Sequence, residues 1–477
     1  MTAVETESTS TGTVRAVREG QVLELAVADI DKYDLPKAGG LAKCVTDSGE
    51  FGIRANWGVG IQQLAAVEDE SMPALTVLVY PKGGGDEPEA SLLRFSQLVA
   101  FACGARPDPD APKAWASTSH SPIERFLLIL AGPLLGATSK ILAGHLRRHY
   151  RTEEETLRAR VRGRLQVGAH IRNTLAGRGH HLPCRYEEFD FDNADHRALK
   201  AALHRLGRLA RALCPAGALS RELLRQSTRF DGVSDSSNPL VDLGRARFGR
   251  VSDVYRDALA WAGLILRGTS QPAAGAAPEF WLDSAKVFEL FVARLVGLAL
   301  PHCRVKPQSS GDGVFRGKRR PDTRPDLLVE TTVAGVTAVL AIGDAKYKDV
   351  CEQVGDRVQV ASADAISAAV GSADTYQLYT YMRLRRCPVG FFVVPFWQPG
   401  GECARVDTAF EFTEPPLDAR PCKAFALALN MMASPLDIMR EVTEKLPPLL
   451  GGLPAATLPS PRPSGPTSIP TAAPLTA

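Results

Sequence analysis

Three residues in the last third of the 477-residue chain, Asp326, Asp344 and Lys346, have the types and spacing needed to hydrolyse a phosphodiester. Asp344 and Lys346 stand two apart at the end of VTAVLAIGDAKYK, a β-branched and apolar run that reads as a buried strand, so their side chains share a face. Asp326 opens the run RPDLLVET, and the intervening VAG turn makes the two runs a hairpin that brings the acids together. Two carboxylates can hold Mg²⁺, which keeps several waters and touches a phosphate oxygen, and the carbonyl of Ala345 is a natural further ligand. The ion would offset charge growing on the phosphate and acidify its water, while Lys346 orients the nucleophile or stabilises the transition state. A D-x-K tripeptide arises readily by chance, and a structural salt bridge is the competing reading. The position of this one, ending an apolar strand where isolated charges are rare, favours chemistry.

A hairpin needs elements to hold it. Ahead of it, Asp283 is a candidate N-cap for a helix over about 283 to 300, with Val287, Phe288, Phe291, Leu295 and Val296 at helical spacing. Behind it, ADTYQLYTYMRLR reads as a helix, which puts Gln377 and Tyr381 on one face, and VGFFVVPF as a buried strand. Residues 278–445 thus form a mixed helix-and-strand block. Upstream, residues 14–105 are expected to form a β-rich domain, carrying VLELAV, FGIRANWGVGIQQL and LTVLVYPKGGG. Residues 120–270 are expected to be mostly helical, with ERFLLILAGPLLGATSKILAGHLRRHY, RALKAALHRLGRLARALC and SDVYRDALAWAGLIL showing apolar residues three and four apart. ARPDPDAPKAW and RGTSQPAAGAAPE read as linkers, and residues 1–13 and 446–477 as disordered tails rich in Ser, Thr, Pro and Ala.

Composition supports a globular protein, with 45% apolar and 23% charged residues. The net charge of +3 is too small for bulk attraction to nucleic acid, so any affinity must come from local clusters. Arg316, Lys318, Arg319, Arg320 and Arg324, just before the hairpin, are the better DNA candidates because phosphate contacts there would position a duplex. A second run, Arg147, Arg148, Arg151, Arg158, Arg160, Arg162 and Arg164, is read as one helical stretch that could pair with Glu153, Glu154 and Glu155 or face a partner. His145 and His149 are read as four apart on that helix, without a carboxylate or cysteine at zinc spacing. The nine scattered cysteines argue against a disulfide scaffold or zinc ribbon. The polar N-terminus lacks signal-peptide features, and Ile123 to Leu135, the most apolar run, is interrupted by Gly132 and Pro133, so a cytoplasmic protein with no membrane span is expected.

The hairpin, with Pro325 before Asp326 and D-A-K ending the next strand, resembles the PD-(D/E)XK nuclease signature. The wider chain resembles the McrC family, the nuclease subunits of McrBC-type 5-methylcytosine-dependent restriction systems. That resemblance rests on the order of GVGIQQL, LTVLVYPK, HLRRHYRTEEETLRARVRGRLQVGAHIR, LPCRYEEFDFDNADHRALKAAL, FWLDSAKVFELFVARL, RPDLLVE, IGDAKYK and DTYQLYTY, spanning nearly everything between the tails. One departure is His196, where the family pattern expects Asn. The resemblance implies an α/β fold: a C-terminal restriction-endonuclease-like core, a mixed central sheet flanked by helices. It implies catalytic support from Gln377 and Tyr381, which would touch the DNA backbone, and from Glu289 at the metal. The plain alternatives are helix packing for the first two and an exposed charge for Glu289. It further implies a partner, a ring of GTP-hydrolysing AAA+ McrB-like subunits that reads the modified cytosine, with the first two domains of this chain docking into the ring. No G-x-x-x-x-G-K-[ST] loop is present, which agrees with an NTPase supplied by another chain. A stand-alone nuclease of repair or defence, and a non-cleaving activator of the AAA+ partner, are the alternatives.

Overall fold

The computed structural model describes residues 5–9, 12–24, 40–45, 51–56, 58–64, 74–82, 88–105, 121–144, 146–215, 217–245, 253–269, 279–307, 324–333, 336–348, 351–354, 357–360, 363–398, 400–411 and 422–450. Its N-terminal strands are β1 (Glu5–Thr9), β2 (Gly12–Arg18), β3 (Val22–Glu24), β4 (Leu41–Val45), β5 (Phe51–Ala55), β6 (Val59–Leu64) and β7 (Leu75–Tyr80). They are followed by helices α1 (Pro88–Cys103) and α2 (Pro122–Leu142). The expected tail 1–13 therefore enters the fold: β1 pairs antiparallel with β2, from Glu5↔Ala16 to Thr9↔Gly12, because a polar segment can join a sheet through backbone bonds alone. FGIRANWGVGIQQL divides into β5 and β6, which belong to different sheets.

The middle of the chain forms β8 (His149–Arg158), β9 (Arg164–Leu165), α3 (Val167–Leu175), β10 (His181–Asp190), α4 (Ala194–Leu213), α5 (Ala218–Thr228), α6 (Pro239–Arg245) and α7 (Asp253–Gly268). The Arg-rich segment is thus a strand and turn rather than a helix. Its residues pair along β8 with β10, from His149↔Asp190 to Arg158↔His181. His149 begins that strand, which removes the helical pairing with His145, itself outside the described residues. Cross-strand contacts replace a core here: Arg185 meets Glu154 at 3.8 Å, the Tyr186 hydroxyl donates to Glu155 at 2.8 Å, and the rings of Tyr150 and Phe189 pair at 4.7 Å.

At the root of this hairpin a buried polar network closes. The ring of His196, fully buried, lies 2.7 Å from the Tyr255 hydroxyl and 2.6 Å from the Phe191 carbonyl. Arg197 bridges Asp192 at 2.9 Å and Asp242 at 3.4 Å. α2 runs through Gly132 and Pro133 where the sequence suggested an interruption, because the loss of one backbone bond at Pro133 is outweighed by burial of Phe126, Leu127, Leu130 and Leu134. It is the one described helix long and apolar enough to cross a membrane, and 56% of that stretch is buried inside the protein.

The last block contains β11 (Glu279–Leu282), α8 (Ser284–Ala299), β12 (Arg304–Pro307), β13 (Leu327–Val333), β14 (Val336–Ala345), β15 (Cys351–Val354), β16 (Arg357–Val360), α9 (Ala363–Leu384), β17 (Val389–Phe396), β18 (Ala404–Glu411), β19 (Lys423–Asn430) and α10 (Pro435–Leu449). Six described strands form one mixed sheet in the order β12-β13-β14-β17-β19-β18, with β14, β17 and β19 parallel. Alternation decides its two faces. Phe391, Val393, Phe425 and Leu427 join α8 and α10 in one core, while Phe392, Val394, Ala424 and Ala426 meet Leu378 and Met382 of α9 in another. α10 continues through Pro447 and Pro448, so the expected tail begins later than residue 446; Leu446 and Leu450 are buried against the sheet core.

The blocks interlock. β11 leaves the last block to pair with β6 at the edge of the N-terminal sheet, where Gly60 lets the Phe280 carbonyl and the Trp281 ring approach closer than a Cβ would permit. Leu98 and Phe101 of α1 pack into the core of the six-stranded sheet. The other face of α1 and the helices α2, α4 and α7 share a single core with the N-terminal sheet.

Candidate active site

Each residue singled out at the hairpin is placed by a local rule. Asp326 is the last residue before β13, and β13 pairs antiparallel with β14 through Leu327↔Gly343. Gly343 is needed there because a side chain would meet the ring of Phe391 at 2.5 Å. Asp344 follows on the face of Ile342, beneath α9, and Lys346 falls on that face just beyond the strand. The N–H of Ala345 donates to Asp326 Oδ2 at 2.9 Å, which ties the first acid to the strand that carries the second.

Lys346 is where the groups meet. Its ammonium lies 2.8 Å from Asp344 Oδ2, donates to Gln377 Oε1 at 3.1 Å, and lies 3.5 Å from Asp374 Oδ1. Gln377 in turn donates to the Tyr381 hydroxyl at 3.0 Å. Asp374, Gln377 and Tyr381 lie three and four apart along the face of α9 that covers the site. Gly371, at φ 63°, breaks the helix before them, so this second half of α9 is aimed independently of the first. Asp374 also pairs with Lys348 at 2.5 Å.

The electrostatics are those of two acids crowded out of water. Burial, with the neighbouring Asp326 second, pushes the Asp344 carboxyl up to about 7. Burial, followed by the charge of Glu289, raises Asp326 as well, so Glu289 on α8 acts on this site from the opposite side of the sheet. The two carboxyls are close enough for Asp344 to offer its proton to Asp326. Burial works against the charge of Lys346, but Asp344, Asp374 and Asp326 together outweigh it and hold the ammonium above its ordinary range. Burial likewise raises the Tyr381 phenol.

A divalent cation suits this arrangement. Asp344 is only 2% exposed, and its Oδ2, although close to Lys346, accepts no hydrogen bond of good geometry. Such an oxygen beside a second buried acid is stabilised by added positive charge. Among the described residues no group of three or more His, Cys, Asp or Glu is gathered tightly enough to hold a metal by itself, so the pair would need the Ala345 carbonyl and water to complete a shell.

The remaining sequence candidates divide. Arg324 is exposed beside Pro325 at the mouth of the hairpin, while Arg316, Lys318, Arg319 and Arg320 lie outside the described residues. Asp374 and Lys348 were not singled out in the sequence; the only available signal was that Asp374 precedes Gln377 by three on the same helical face. Tyr347 was also missed: its ring lies 5.6 Å from Phe288 and 5.9 Å from Trp397, and its hydroxyl donates to Glu19 Oε2 at 3.0 Å.

A family model described as McrBC 5-methylcytosine restriction system component matches residues 58–394. Among solved structures, the chain is similar to a refined half-complex from a tetradecameric assembly of Thermococcus gammatolerans McrB AAA+ hexamers with bound McrC. The identity is 18% and the TM-score 0.46, over 90% of this chain and 99% of that chain. It is also similar to a chain of the cryo-EM structure of the Thermococcus gammatolerans McrBC complex, at 16% identity and TM-score 0.38, over 60% of this chain and 88% of that one. No curated protein matches.

Proposed function

Since the chain belongs to the McrBC 5-methylcytosine restriction system component family, we propose that it is the McrC-type nuclease subunit, a Mg²⁺-dependent endodeoxyribonuclease built on a PD-(D/E)XK core. Its partner would be a GTP-driven AAA+ ring that recognises modified cytosine. The observation that carries the reading is the convergence of Asp326, Asp344 and Lys346 at the end of one hairpin, under the Gln377–Tyr381 face of α9.

Asp326, Asp344 and the Ala345 carbonyl would hold the ion, with Glu289 adding negative charge nearby. Bound Mg²⁺ supplies charge neutralisation at the phosphate and a more acidic water. The protein's own groups do the positioning. Lys346, kept charged by Asp344 and held from the helix side by Gln377 and Asp374, presents an ammonium to the nucleophile or to the charge developing on the phosphate. Gln377 and Tyr381 form a polar row that can take a backbone phosphate, and Arg324 with the basic residues before it would steer the duplex without reading its sequence.

The partner reading finds support in the β8–β10 hairpin. α3, packed at its side, has no buried residue, and Val167, Ile171 and Leu175 make an apolar stripe four apart with exposures of 60%, 53% and 84%. An exposed stripe of that kind suits docking into a ring. The test is cleavage of a methylated plasmid by the full chain with its AAA+ partner, GTP and Mg²⁺. Asp344→Ala is expected to abolish cutting and leave stimulation of the partner's NTPase intact; a variant that still cuts removes Asp344 from the mechanism. Cutting by the isolated chain with Mg²⁺ alone would replace this reading with that of a stand-alone nuclease.

A further inference from the structure

We propose that Glu19 is a positioning residue for the nuclease site, acting through Tyr347 so that the N-terminal sheet sets the placement of Lys346. The proposal rests on the nuclease reading above.

The backbone of Lys346 is paired to the sheet on one side. Its N–H donates to the Val393 carbonyl at 2.8 Å, the last bond joining β14 to β17, and the chain then turns, with Lys348 N–H donating to the Lys346 carbonyl at 2.8 Å. Beyond that point no strand ladder among the described residues holds 346–348; Lys346 and Lys348 are tied to α9 through Gln377 and Asp374, and the side chain of Tyr347 supplies the tie on the opposite side. It leaves the chain opposite Lys346, toward Phe288, Trp397 and the N-terminal sheet. There its hydroxyl donates to Glu19 Oε2 at 3.0 Å, and the ammonium of Lys82, which lies 5.8 Å from the centre of the Tyr347 ring, acts on the Glu19 carboxyl as well.

Glu19 does not adapt to the tyrosine; the sheet fixes it first. Its N–H donates to the Tyr80 carbonyl at 2.9 Å, and the N–H of Gly20, at φ 81°, donates to Ala55 at 2.9 Å. Mere packing between two halves of a protein would favour an apolar residue at such a place. Instead a carboxyl only 3% exposed is kept there, its Oε2 accepting from Tyr347, with the Ser284 hydroxyl and the Lys82 N–H holding the same carboxyl. A shallow crevice lined by Lys82, Arg94, Tyr347, Trp397 and Met432 lies beside the cluster. A shift of the N-terminal sheet would therefore reach Lys346 through one hydrogen bond and one ring.

The experiment uses the full chain with partner, GTP, Mg²⁺ and methylated DNA, and compares Tyr347→Phe, Glu19→Ala, Glu19→Gln and the Tyr347→Phe/Glu19→Ala double variant. Tyr347→Phe and Glu19→Ala should each lower the single-turnover cleavage rate about tenfold, with the apparent KM for DNA and the stimulation of the partner's NTPase unchanged. The double variant should be no slower than Glu19→Ala alone, because the Tyr347 bond is already gone in that variant. Glu19→Gln, whose amide oxygen can still accept from Tyr347, should cut at close to the wild-type rate. Additive losses, a Gln variant as slow as the Ala variant, or unchanged rates throughout would each overturn the proposal while leaving the nuclease reading intact. Failure of the wild-type complex to cut would sink both. Tyr347→Phe deletes one oxygen atom, so it remains informative even if Glu19→Ala does not fold.

Discussion

Replacing Glu19 by Gln should stabilise the protein at neutral and alkaline pH and leave it unchanged in acid. Burial lifts the Glu19 carboxyl from 4.5 to about 7, against smaller opposing effects of Ser284, Lys82 and Tyr347. Below 4.5 the folded and unfolded chains both carry the proton. Between 4.5 and about 7 the unfolded chain releases it and the folded chain keeps it, so the folded state binds more protons and stability falls as pH rises. At about 1.4 kcal/mol per pH unit, that window is worth roughly 3 kcal/mol, lost in full once the pH exceeds the folded value. The side-chain amide of the Glu19→Gln variant is neutral at every pH and escapes this loss. Urea unfolding of the metal-free full chain, followed by tryptophan fluorescence, should give matching stabilities for wild type and Glu19→Gln near pH 4.5. The variant should lead by about 2–3 kcal/mol at pH 8, since a paired but desolvated carboxylate is replaced by a neutral acceptor. A lead that does not grow with pH would refute the reasoning, because it would mean that Ser284, Lys82 and Tyr347 together offset the burial of the Glu19 carboxylate.

Asp374→Asn should slow single-turnover cleavage about tenfold without affecting the partner's NTPase, since Lys346 and Lys348 both lose an ionic contact that orients them; an unchanged rate would reduce Asp374 to a surface charge. Ile171→Asp combined with Leu175→Asp should leave urea unfolding within about 0.5 kcal/mol of wild type, as neither side chain is buried. The same pair should remove co-purification with the AAA+ partner, and retained binding would place the docking surface elsewhere. Tyr255→Phe should cost about 1–2 kcal/mol in urea unfolding by leaving His196 without its hydroxyl contact, and a neutral result would mean that the remaining contacts of the ring, to Phe191 and Asn193, suffice.

Much of the site was readable because its rules are local. The two-residue spacing of Asp344 and Lys346 places both on one face of any strand, the four-residue spacing of Gln377 and Tyr381 places both on one face of any helix, and Asp283 caps α8 through the N–H of Lys286 three residues on, at 3.1 Å. The β8–β10 hairpin was misread for a related reason. Both of its faces are largely open to solvent, so RTEEETLRARVRGR has no apolar alternation to display; Glu–Arg and Tyr–Glu contacts across the strands hold it instead. β1 and the end of α10 were taken for tails because backbone pairing and the burial of Leu446 and Leu450 leave little trace in composition.

What the amino-acid sequence determined alone is which side chains share a face at the hairpin, since periodicity binds neighbours in the chain to a common face whatever surrounds them. Only the tertiary structure decided which further distant groups would act on it: Asp374 against Lys346 and Lys348, and Glu19 against Tyr347 across 328 residues of chain. Such contacts follow from which sheets and helices bury one another's apolar faces, as β11 does in joining the N-terminal sheet and α1 in packing under the six-stranded one. No spacing rule along the chain encodes that choice, because burial is settled by the whole set of faces at once.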